Sequence, residues 1–217
     1  MTLKLNNTRT ILNTAIILAI FVAFFFNPIS ALAIAGTTPN FTEFSRSVQN
    51  GQADVLTGVY VSNVLALPVA QQPYGNAGYV SNNTGEVTQF RMATQFGNIG
   101  ILAHNHLSGS SFSQLAIGQE VRLVNGDGSV EYFVISEILR YQALQPTSPY
   151  SSFRNLDKDE TLSAEQMFKR VYFGDRHVTF QTCIEAEGNA SWGRLFVIAI
   201  PKSEYVGFNR LNQTVTQ

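Results

Sequence analysis

Cys183 is the only cysteine among 217 residues, and it closes an alternating run, VTFQTC, over residues 178–183. A thiol at the end of a strand-like segment sits where a cleft can reach it. An imidazole stands in the same context at His104: the stretch GNIGILA, residues 97–103, runs straight into it, and His106 follows two positions later. Arg194 opens a third such segment, the apolar LFVIAI of residues 195–200. A thiol, an imidazole and a guanidinium together support nucleophilic acyl transfer. A cysteine beside a cationic imidazole attacks as thiolate, and the imidazole can then protonate a leaving amine. A fixed guanidinium can donate to the oxyanion of the tetrahedral intermediate, worth ~3 kcal/mol for one good donor. Taken singly, each has a plainer reading: a small buried hydrophobe, a loop histidine, a solvated strand flank. Their shared position, each at the lip of its own strand, points to a joint site.

Bringing three strand ends together requires a closed sheet. From residue 56 onward, β-branched and aromatic runs alternate with glycine and asparagine. Residues 59–69, 87–92, 98–103, 119–124, 130–138, 178–182 and 194–200 read as strands, and residues 125–128 (NGDG) as a hairpin turn. Residues 71–85 read as a polar loop. Helix is expected only near residues 40–50, where Phe41, Phe44 and Val48 recur at helical spacing, and near 163–170, capped by Thr161 or Ser163 with Glu165 or Gln166 in the first turn. The fold class is all-β: a closed antiparallel barrel of about eight strands with one or two short helices. The expected organisation is a targeting segment (1–35), an N-terminal arm or helix (36–55), the barrel domain (56–205) and a C-terminal tail (206–217).

These segments resemble those of the sortase family. ILAH, residues 101–104, is similar to the family's IAGH strand, which ends on the catalytic histidine; Ala103 replaces the usual glycine. TFQTC, residues 179–183, resembles the TLxTC signature, with Phe180 in the place of leucine. Arg194 followed by LFVI resembles the R-L-x-V-I strand, and FSQLAIGQEV, residues 112–121, echoes the F..L..G..V stretch after the histidine. The likeness covers roughly residues 56–201 and is nearest in character to class E and F sortases. It implies an eight-stranded barrel and transpeptidation, with Cys183 as nucleophile, His104 as general acid and base, and Arg194 at the oxyanion or substrate. His106 is the alternative base, since the choice rests on strand register alone. Thr182 and Trp192 would line the groove, and residues 146–175 would wall it. The implied partners are a peptide or protein carrying a C-terminal sorting motif of the LPxTG kind and an amine acceptor; no cofactor and no metal are implied.

Other readings compete. The same trio with water as acceptor would make a hydrolase, and a barrel that had lost catalysis would be a binding module. His104, His106 and Cys183 could supply zinc ligands, but the glutamate that HxH metal barrels carry is missing from residues 107–114. The acidic run at Asp157, Asp159 and Glu160 lacks the glycine and distal glutamate of a calcium loop and reads as a solvated turn, and His177 reads as structural. With 45% hydrophobic and 13% charged residues and a net charge of -1, the chain can bury a substantial core and offers no phosphate-binding surface. Nucleic acid is excluded on that ground. At the N-terminus, Lys4 and Arg9 precede an apolar run over residues 15–26, broken at Asn27 and Pro28 and followed by small residues at 31–35. This is the pattern of a secretory signal. Retained rather than cleaved, residues 11–35 would associate with a membrane. Either way the expected location is outside the cytoplasm, secreted or on the outer face of the membrane.

Overall fold

The computed structural model describes residues 38–205. The expected targeting segment and C-terminal tail lie outside these residues. Among the described residues no helix is long and apolar enough to cross a membrane.

Helix α1 (Phe41–Ser47) is capped by Asn40 and packs Phe44, with Phe41 and Val48, on Tyr60 and Val124. β1 (Leu56–Val61) and β2 (Leu65–Gln71) pair antiparallel. The single strand expected over 59–69 is therefore a hairpin. Its reversal centres on Asn63, whose φ of 60° is the left-handed conformation that asparagine tolerates. β3 (Val87–Phe90) ends earlier than the apolar pattern suggested, because Arg91–Thr94 turns into a one-turn helix, α2. β4 (Ile99–Leu102) leads to a 3-10 helix (Ser108–Gln114), then β5 (Glu120–Asn125) and the long β6 (Val130–Ala143). β7 (Phe153–Asn155) and β8 (Thr161–Leu162) form a small flap beyond β6. Helix α3 (Ala164–Tyr172) follows a complete capping box of Ser163 and Gln166, and β9 (Val178–Ala186) and β10 (Asn189–Pro201) come next, with helical residues 202–205 last among those described.

The ladder order is β10-β9-β4-β3-β2-β1-β5-β6, and β6 pairs back onto β10, so eight strands close. The closed all-β barrel expected from the sequence is present, with one correction: two of its pairings, β2 with β3 and β4 with β9, are parallel. Parallel neighbours need a crossover of a dozen or more residues. The loop over residues 72–86 supplies one, and the long excursion between β4 and β9 supplies the other.

Side chains alternate across the sheet. Ile99, Ile101, Val178, Phe180, Leu195 and Val197 point into the barrel with Val59, Leu123 and Ile135. Phe112 of the 3-10 helix closes one end, its ring 5.3 Å from that of Phe180. On the outer face, α3 packs Met167, Val171 and Tyr172 against Leu139, Tyr141, Phe196 and Ile198. Thr179 donates to the Val171 carbonyl at 2.6 Å and Tyr172 donates to Gln181 at 2.6 Å. Position 181 of β9 thus faces outward, and by the two-residue period so does position 183.

Candidate active site

Cys183 on β9 and Arg194 on β10 are directly opposed in the antiparallel ladder. Opposed residues share a face, with Cβ atoms ~5 Å apart. The parallel ladder on the other side of β9 pairs Leu102 with Gln181, and the Ala103 amide continues it to the Gln181 carbonyl at 3.3 Å. His104 and Cys183 each stand two residues beyond that last pair, so the histidine leaves β4 in step with the cysteine. Ile99, Ile101 and Ala103 face the core, and His104 follows two residues past the end of β4. Cys183 and Arg194 thus share one row across β9 and β10, His104 stands level with it just past the end of β4, and all three are half-buried.

His106 is exposed, and its ring stacks on His104 with centroids 5.4 Å apart and planes 25° from parallel. Register places His106 beyond the row. Thr182 faces inward and is buried; its hydroxyl donates to the Ala103 carbonyl at 2.9 Å, bracing the cysteine strand against the histidine strand. It is a brace and not a wall of an outer groove. Trp192 lies in a bulge of β10, where residues 190–192 stand against Glu185 alone. Its indole Nε1 is buried without a hydrogen-bond partner among the described residues.

Arg194 donates from Nη1 to the Ser191 carbonyl at 3.0 Å and to the Gly193 carbonyl at 2.8 Å. These bonds fix the guanidinium, and its other N–H donors have no partner among the described residues. Among the described residues no carboxylate pairs with it.

Two further residues shape the site that the sequence reading passed over. Gly109 packs so closely that a Cβ would come within 2.7 Å of the His104 carbonyl and 2.3 Å of the Thr182 hydroxyl. Only glycine lets the 3-10 helix approach the histidine segment. Asn105 donates from its side-chain amide to the Ala190 carbonyl at 3.0 Å. No sequence pattern announces either contact, because Asn105 and Ala190 lie 85 residues apart.

His177 is buried at the far end of β9, with Nδ1 2.7 Å from the Asp175 carbonyl and Nε2 2.9 Å from the Val171 carbonyl, so its position is a structural one. In the acidic turn, Asp157 pairs with Arg140, and Glu160 accepts from Tyr141 at 3.0 Å and from Asn155 at 3.2 Å. The turn is solvated as expected, with Asp157, Lys158 and Asp159 exposed and Glu160 half-buried, and these partners fasten it to the barrel. Burial and the Glu160 carboxylate raise the Tyr141 phenol above its ordinary range. Among the described residues no group of three or more His, Cys, Asp and Glu side chains is placed to hold a metal ion.

No protein-family model and no curated protein matches the chain. Solved structures to which it is similar include sortase A from Listeria monocytogenes, at TM-score 0.43 and 13% identity over 68% of this chain and 87% of that one. A sortase D5 transpeptidase from Clostridium perfringens is similar at TM-score 0.44 and 13% identity, over 76% of this chain and 89% of that one. Sortase C-1 from Actinomyces oris is similar at TM-score 0.46 and 10% identity, over 78% and 84%. They belong to the family whose strand motifs the sequence resembles; the closed barrel itself rests on its own hydrogen-bonded ladders.

Proposed function

We propose that this protein is a sortase-type cysteine transpeptidase acting outside the cytoplasm. The observation that carries the reading is Cys183 opposed to Arg194 across β9 and β10, with His104 in step with Cys183 just past the end of the neighbouring β4. The Cys183 thiolate attacks the carbonyl carbon of a peptide bond in the sorting motif. The resulting oxyanion accepts hydrogen bonds from the free N–H groups of Arg194. His104, as imidazolium, gives its proton to the leaving amine as the C–N bond breaks, which leaves a thioester on Cys183. An incoming amine then attacks the thioester, neutral His104 takes its proton, and the thiolate departs as the new amide forms.

The test is incubation with LPxTG-like peptides with and without an added amine. A covalent adduct on Cys183, and an amide product that grows with amine concentration, are the expected results. Cleavage that yields only free acid at every amine concentration would assign the site to hydrolysis instead.

A further inference from the structure

The His104 ring forms no hydrogen bond to another group among the described residues; its neighbour is the stacked His106 ring. A catalytic base is ordinarily held in orientation by a third group bound to the ring. Here the hold is on the backbone around the histidine. The His104 carbonyl accepts the amides of Leu107 and Gly109, both at 3.0 Å, which closes a tight turn with Asn105 and His106 at its corners. Among the described residues the turn is fastened outward at a single side chain, the amide of Asn105, which donates to the Ala190 carbonyl of β10 at 3.0 Å. Ala190 belongs to the bulge ahead of Arg194, and Arg194 in turn binds the carbonyls of Ser191 and Gly193. One amide therefore links the histidine turn to the arginine bulge, passing over the strand that carries Cys183.

We infer that Asn105 is a positioning residue for the proposed transpeptidation: it sets the separation of His104 and Arg194 on either side of Cys183. This rests on the proposed roles of those three residues. Chemistry is sensitive to sub-ångström placement of a general acid, while a lone half-exposed hydrogen bond contributes little to global stability. Loss of the tether should therefore appear in turnover and not in folding.

The experiment is Asn105→Ala in the barrel protein, read in three ways. With an LPxTG-like peptide, kcat should fall about 10-fold or more while KM stays within about 3-fold. Tm should stay within about 2 °C of wild type. Amide hydrogen exchange at Leu107 and Gly109 should speed up about 10-fold as the turn opens locally. Wild-type exchange at those two amides, or wild-type kcat, overturns the tether. A kcat loss that follows a fall in Tm, and recovers on assay at lower temperature, overturns it as well, since the bond would then be a stability element. Exchange needs no turnover. A wild-type protein inert toward every peptide would sink the proposed function, while exchange would still decide the tether.

Discussion

At the residue scale, the site depends on what Arg194 does with a charge it cannot lose. Two of its bonds go to carbonyls of its own strand, and in the proposed mechanism its remaining donors serve the oxyanion. Arg194→Lys keeps the charge and loses the planar fork. The expected outcome is a fall in kcat of about 10² or more, with alkylation of Cys183 by iodoacetamide within a few-fold of wild type. Alkylation that collapses in step with kcat would mean that the arginine tunes the thiolate and not the oxyanion. The three residues proposed for the chemistry stand out in the sequence because each ends or begins an apolar strand, a pattern visible one segment at a time. Thr182 was legible as a residue of the motif but not in its role. Strand alternation turns it inward to brace Ala103, a fact that depends on which face of β9 meets the core.

At the element scale, the bulge in β10 is the part that sequence reading could not supply. Gly193 sits where a Cβ would come within 2.5 Å of the Tyr141 carbonyl, backbone that cannot swing away. Gly193→Ala should push β10 off β6 next to Arg194, costing about 1–3 kcal/mol and most of the activity, as read by chemical denaturation and peptide turnover. Nothing in a lone glycine before an arginine signals this, since the clash comes from a strand some 50 positions earlier. Helix α3 is the opposite case. Of the caps the sequence offered, Thr161 or Ser163 with Glu165 or Gln166, Ser163 and Gln166 form the capping box, a local transaction between residues three apart. Ser163→Ala should cost about 1 kcal/mol of stability and leave kcat near wild type, since the cap lies at the start of α3 and the contacts of α3 with β9 and β10 come from Met167, Val171 and Tyr172 further along it. Parallel pairings, like the bulge, are written in long-range topology. Local hydrophobic patterns show that β4 and β9 are strands and not that they lie side by side.

At the scale of the whole molecule, the barrel closes by pairing β6 with β10, and the Lys202–Glu120 ion pair lies just past that seam. Burial alone would raise the Glu120 carboxyl, but hydrogen bonds from Lys202 and Arg122 outweigh it and hold the group below the usual carboxylate range. A carboxylate lowered on folding adds stability above its unfolded pKa, and that stability fades as pH falls through the folded value. Lys202→Gln should therefore lower stability at pH 7 by on the order of 0.5 kcal/mol, as for a pair so open to solvent. The difference from wild type should vanish in melts run below about pH 3. A difference that persists there would assign the effect to packing of the lysine stem.

The central claim is that one thiol, held between His104 and Arg194, becomes an acyl carrier. Intact-mass spectrometry of the protein after a short incubation with an LPxTG-like peptide tests it most directly. The wild type should gain the mass of the peptide's N-terminal fragment on Cys183, and added amine should discharge it. Cys183→Ala should gain nothing, and His104→Ala should acylate at least about 10²-fold more slowly. Turnover by Cys183→Ala equal to wild type, or an adduct mapped to any other residue, would contradict the account.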